Sequence, residues 1–163
     1  EPPFMHYAIN HHPVRVIALD TKEEGEHFGR LCEKRLRWLS IRLAEEREQP
    51  TVIVMHHPPF ETGIQIMDVD RCLDGPAFAA IVAKSHNIER ILCGHVHRPG
   101  FTRFAGTIAS ICPSTAFHLE PAILVEQKDY LVTREPPAFQ LHVWAGEAGL
   151  VSHTIQVDMG DHT

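Results

Sequence analysis

Residues 51–55 (Thr-Val-Ile-Val-Met) and 88–93 (Ile-Glu-Arg-Ile-Leu-Cys) are short, β-branched and rich in apolar side chains. Runs of this kind predict strands buried on both faces of a sheet. Residues 14–19 predict a third strand, ending at Asp20, and residues 4–9 a shorter one. Asn10-His11-His12-Pro13 reads as the turn between them. The period then changes. Leu36, Leu39 and Leu43 recur at i, i+3 and i+7 among charged residues, which predicts a helix over 30–48 stopped by Pro50. A second helix is predicted over 75–85, with Phe78, Ile81 and Val82 inward. Residues 101–104 and 107–111 predict two short strands around Gly106. Residues 120–137 carry an apolar patch without a period. Residues 138–144 and 150–157 alternate around Ala-Gly-Glu-Ala-Gly and predict a hairpin. The last six residues read as a frayed end.

Buried strands alternating with helices imply an α/β layered sheet. Neither a repeat nor a linker divides residues 1–163, so a single domain is expected. Composition narrows the function classes. Net charge is −6 and no basic block occurs, which argues against a nucleic-acid polymer as partner. No apolar run approaches the roughly 20 residues that a membrane helix needs, so no membrane partner is expected. Cys32, Cys72, Cys93 and Cys112 form no Cys-x-x-Cys pair. They read as free thiols in a reducing compartment, the cytoplasm.

The chain holds 13 histidines. Two clusters lie just past the carboxyl ends of predicted buried strands, where open α/β sheets place their ligands. One is His56-His57-Pro58-Pro59 and the other Gly94-His95-Val96-His97. In an extended segment residues i and i+2 share a side, so His95 and His97 can converge. Gly94 permits a close backbone approach or a sharp turn, and the prolines stiffen the loop that aims His56. Imidazoles converging from His56, His95 and His97 suit Zn, Mn, Fe or Co better than Ca or Mg. Taken as a lone pair, His95 and His97 serve equally well as structural histidines with backbone partners. His11 and His12 lie in a turn, and His118, His142 and His153 read as strand or loop residues, His118 being a pocket candidate. Arg98 is either a phosphate contact or a solvated loop arginine. Asp68 and Asp70 would reach a metal only if their loop folded back. Cys93 reads as a buried thiol at a strand end.

Val16-Ile17-Ala18-Leu19-Asp20-Thr21, His56-His57-Pro58-Pro59-Phe60, Met67-Asp68, Cys93-Gly94-His95-Val96-His97 and Pro113-Ser114-Thr115-Ala116 together carry a resemblance. The sequence is similar to calcineurin-like metallophosphoesterases, in the branch of class III cyclic nucleotide phosphodiesterases and glycerophosphodiesterases. The resemblance implies the second half of a four-layer α-β-β-α sandwich, followed by a C-terminal hairpin over 138–157. It implies a centre of two divalent metals whose bridging hydroxide attacks phosphorus in line. His56 and His95 would bind the second metal and His97 the first, with His57 as a pocket wall or support. The implied substrate is a small phosphodiester.

The chain also departs from that family. Its opening Asp-x-His, its Gly-Asp and its Gly-Asn-His segments do not occur, and Gly160-Asp161 lies at the wrong end. Three neutral imidazoles bring no negative charge to offset two dications, so at most one metal, held weakly, is expected. The expectation is therefore a fragment of an enzyme, without the N-terminal metal-binding half and without a catalytic residue of its own. Catalysis would belong to the full-length parent. A sheet lacking its first strands leaves an open edge and an uncovered face, so self-association is expected. The alternative is a non-catalytic interaction or oligomerisation module with a vestigial site. A structural zinc site built from histidines alone ranks last, because such sites usually close with four ligands.

Overall fold

A computed structural model of the chain describes residues 4–123, 125–126 and 129–158. The elements are β1 (Tyr7–Ile9), β2 (Arg15–Leu19), α1 (Glu33–Glu45), β3 (Thr51–Met55), α2 (Gln65–Asp68), α3 (Gly75–Val82), β4 (Ile88–Cys93), β5 (Gly100–Phe104), β6 (Thr107–Ile111), β7 (Ala138–Trp144) and β8 (Leu150–Gln156). Six strands form one mixed sheet in the order β1-β2-β3-β4-β6-β5, and β7 pairs with β8 in a separate two-stranded sheet. The parallel block is β2, β3, β4 and β6, with β1 and β5 antiparallel at the edges. This is an α/β fold with a C-terminal antiparallel hairpin.

Register explains where the core sits. Ile17, Ile53, Ile91 and Ala109 are neighbours across four strands, as are Leu19 with Met55 and Cys93 with Ile111. Alternate residues of a strand share a face, so these side chains form one continuous apolar surface. Leu39 and Leu43 of α1 and Phe78 and Val82 of α3 join them in a single buried cluster. The right-handed preference of parallel crossovers places both helices on the same side, because β2, β3 and β4 advance in one direction. The opposite face holds Ala18, Val54 and Leu92 in register. It is only partly covered, and Val54 is 36% exposed. The expectation that residues 51–55 are buried on both faces is corrected at that position.

Helix α1 is shorter than its apolar period suggests, because tertiary partners occupy the backbone at both ends. The amides of Arg30 and Leu31 donate to the Thr21 carbonyl and the Asp74 carboxylate, so the helix begins only at Glu33. The Asn87 amide donates to the Glu46 carbonyl, where the backbone has left the helix at φ −133°. The single turn of α2 lies in a stretch expected to be loop. The predicted frayed end falls largely on residues 159–163, outside the described residues. Among the described residues, no helix is long and apolar enough to cross a membrane.

Candidate metal centre

Strands β3 and β4 run parallel and end side by side, so their following loops leave the sheet together. The Gly94 amide donates to the His56 carbonyl at 2.9 Å and ties the two loops at their first residues. A Cβ on Gly94 would sit 3.4 Å from His56 Nδ1, so the loops are close-packed there. The sharp turning falls elsewhere. His95 and His97 have φ of 70° and 57°, a left-handed backbone that is unfavourable for residues with a Cβ. This corrects the picture of an extended Gly-His-Val-His segment. Val96, between them, is 1% exposed and belongs to the core cluster. Burying Val96 anchors the strained loop and leaves both imidazoles outside the core.

His56 Nε2 and His95 Nδ1 meet at 3.3 Å. Two nitrogens each about 2.0–2.1 Å from a tetrahedral metal would stand about 3.4 Å apart, so the pair has the spacing of two ligands on one ion. His95 Nε2 and His97 Nδ1 are buried without a hydrogen-bond partner, an arrangement that native structures usually avoid unless function accounts for it. The His97 ring lies 4.6 Å from Phe117. Burial lowers the pKa of His56 and, aided by neighbouring imidazoles, brings that of His95 down to about 4. The rings are thus neutral near pH 7, the state a metal ligand needs.

His57 also lies within ligand distance, its nearest ring nitrogen within 4.8 Å of those of His56 and His95. Its nitrogens are committed elsewhere. Nε2 is 3.0 Å from the His27 carbonyl and Nδ1 is 2.8 Å from the Thr21 hydroxyl. A carbonyl only accepts, so Nε2 carries the proton and Nδ1 accepts from Thr21. No lone pair is left for a cation, and the geometry favours a holding role. His57 is 4% exposed, and burial first, then the nearby His95 and His56, pushes its pKa down to about 4.

A cleft of about 560 Å³ opens beside His95 and His97. Met67, Phe117, Leu119 and Tyr130 give it apolar walls, and His27 and Asp70 bring polar groups. Asp70 reaches the cleft because its loop does fold back, and the Tyr130 hydroxyl lies 3.5 Å from its carboxylate. Asp68 is turned away to accept from the Thr62 and Gly63 amides. Arg98 neither faces solvent freely nor offers itself to a phosphate. It donates to the Leu119 carbonyl and to both oxygens of Glu135. His118 is buried and its Nδ1 meets the same Glu135 carboxylate at 3.3 Å. His11 and His12 lie exposed in their turn, and His142 pairs with Ser152 inside the hairpin. His27, Phe117 and Tyr130 were not singled out in the sequence. They come from loops without periodicity, and only tertiary folding brings them here.

The sequence pattern of the family described as Calcineurin-like phosphoesterase matches residues 4–99. A probable glycerophosphodiester phosphodiesterase from Arcobacter nitrofigilis is 34% identical over 147 residues, covering 90% of this chain and 54% of the relative. The 3′,5′-cyclic adenosine monophosphate phosphodiesterase of Escherichia coli K12 is 28% identical over 107 residues, covering 66% of this chain and 39% of the relative. A solved dimetal phosphatase from Danio rerio superposes with a TM-score of 0.57 at 14% identity, covering 94% of this chain and 60% of the other. The chain spans about half the length of the first of these curated relatives, at 54%.

Proposed function

The chain belongs to the calcineurin-like phosphoesterase family, and from that premise we propose that it supplies part of a dinuclear metal centre that hydrolyses small phosphodiesters. The observation that carries this reading is the meeting of His56 Nε2 and His95 Nδ1 at 3.3 Å. Beside it lie the buried, unpartnered nitrogens of His95 and His97. We assign His56 and His95 to one ion and His97 to the other. Imidazole donors suit Mn, Fe, Zn or Co. When bound, such ions provide Lewis acidity toward phosphoryl oxygens and activate water for in-line attack.

The chain's own residues hold and aim. Buried Val96 fixes the left-handed loop that carries His95 and His97. His57 braces the loop at Thr21 and His27. Phe117 packs against the His97 ring and limits its rotation. The adjoining cleft receives the organic group of the ester. No carboxylate joins His56, His57 and His95 in their cluster among the described residues, so these imidazoles by themselves bring no negative charge to offset two dications. Residues 1–163 then act as one partial domain and are not a competent catalyst alone. The curated relatives are named for glycerophosphodiesters and cyclic AMP, and the shared class, small phosphodiesters, is assigned here. Four free thiols suit the cytoplasm.

Fused behind the first half of the Arcobacter relative, the chain is expected to hydrolyse bis(p-nitrophenyl) phosphate in a Mn²⁺-dependent manner. His56→Ala should cost more than the roughly 10–100-fold that supporting residues around a metal command. A His56→Ala fusion as active as its parent would sink the ligand assignment. A second reading, a non-catalytic interaction module with a vestigial site, is favoured by the exposed apolar residues Leu141 and Val143 of the hairpin. The two part on the isolated chain in millimolar Co²⁺. Metal ligation expects a visible cobalt spectrum that His95→Ala removes, and the module reading expects none.

A further inference from the structure

We propose that His27 binds the substrate, its imidazole donating an N–H to the phosphoryl oxygens of a diester seated beside His95 and His97. The proposal rests on the metallophosphoesterase reading above and adds a substrate contact to it.

His27 lies in a polar stretch whose sequence gives no reason for order, yet the loop is held at several points. His57 takes the Thr21 hydroxyl with one ring nitrogen and the His27 carbonyl with the other. The Arg30 amide donates to the Thr21 carbonyl and closes the loop at its base. The Gly29 amide donates to Arg71, and the Leu73 amide donates back to Gly29. A Cβ on Gly29 would stand 2.6 Å from the His57 ring, so the loop lies directly on that imidazole. The backbone of His27 is therefore fixed, while its side chain remains exposed and lines the cleft.

The other residues of the cleft leave the donor role to His27. Met67, Phe117 and Leu119 are apolar, and the Asp70 carboxylate repels a phosphodiester anion. The Tyr130 hydroxyl is directed at Asp70. His95 and His97 are assigned to metal. No lysine or arginine lines this cleft among the described residues. A neutral imidazole always carries one N–H, and here it is presented on backbone already ordered, so binding loses little loop entropy.

The test uses the whole chain with Co²⁺ and dimethyl phosphate, followed by the cobalt spectrum and by ³¹P line broadening. His27→Ala is expected to leave Co²⁺ affinity unchanged and to weaken the diester about tenfold, the range of a hydrogen bond to a charged group. His27→Gln, which keeps an N–H donor, should recover part of that loss. Unchanged diester affinity in His27→Ala overturns the proposal and leaves the metal reading standing. A loss of Co²⁺ affinity as large as that of His95→Ala also overturns it, because His27 would then be a ligand. A wild-type chain without a cobalt spectrum overturns the metal reading and this proposal together.

Discussion

His56 and His57 are identical neighbours in sequence and opposite in use. The His56 ring faces His95, while the His57 ring is buried and bonded through both nitrogens to the 21–27 loop. Removing His57 orphans the Thr21 hydroxyl and opens a void, so His57→Ala is expected to cost about 2–3 kcal/mol. Urea titration measures that loss, and amide exchange should rise across residues 22–28 first. His57→Gln can donate to a carbonyl and accept from a hydroxyl, and should protect the loop better than alanine. The pKa gives a sign. Folding holds His57 neutral to about 4, whereas the unfolded chain protonates near 6.5. The stabilising difference is therefore present above 6.5 and lost as pH falls from 6.5 toward 4. The stability of the apo chain should decline over that window, less steeply in His57→Ala. A slope unaltered by the substitution would contradict the assignment of His57 as a neutral brace.

At the scale of elements, strands were legible where pairing and pattern agree. Residues 51–55, 88–93, 107–111 and 138–144 are strands with the predicted bounds, because β-branched apolar runs leave one face to the core. The ends of α1 were not legible. The residues that cut α1 short, Thr21, Asp74 and Asn87, are distant in sequence from the ends they cap. Likewise, the two histidine clusters were readable as candidates, but the left-handed turn at His95 and His97 was not. Its cause is the burial of Val96, a tertiary event. One element contact lends itself to a direct test. Gly75, at the start of α3, lies so close to β3's outgoing loop that a Cβ would stand 2.2 Å from the Pro59 carbonyl oxygen. Backbone cannot swing aside as a side chain can. Gly75→Ala is expected to destabilise by about 1–3 kcal/mol or more through overpacking and to displace the His56 loop. Gly100→Ala, where the new Cβ meets only Ile111 Cδ1 at 3.6 Å, serves as the control. Equal melting temperatures for the two variants would show that the α3 contact is looser than these distances imply.

For the whole molecule, the hairpin presents its faces in an unexpected sense. Phe139 pairs with Ile155, Leu141 with His153 and Val143 with Val151, directly across the two strands. These side chains are on one face and exposed, Leu141 by 50%. The other face carries Gln140, His142 and Ser152, half-buried, and Arg90 of β4 donates to the Ser152 hydroxyl and the Leu150 carbonyl. Polar residues thus share the covered face with Ala138, Trp144 and Leu150, while the row of Phe139, Leu141 and Val143 meets water. Alternation in the sequence identifies a hairpin but cannot say which face is covered, since both assignments have period two. The sheet adds Val54 and Ile108 to the uncovered apolar surface. A row of exposed apolar side chains such as that of the hairpin marks an interface more often than a solvated face. In a pure solution the only available cover is another copy of the chain, so we expect concentration-dependent self-association in the micromolar range. Sedimentation velocity across a concentration series measures it. Leu141→Glu with Val143→Glu places two like charges on the row and should shift the chain to monomer without loss of secondary structure, because neither side chain contributes to the core cluster. A wild-type chain that sediments as a strict monomer throughout would mean that the outward row is tolerated in water. An association that survives the double substitution would move the interface from the hairpin to the open face of the sheet around Val54.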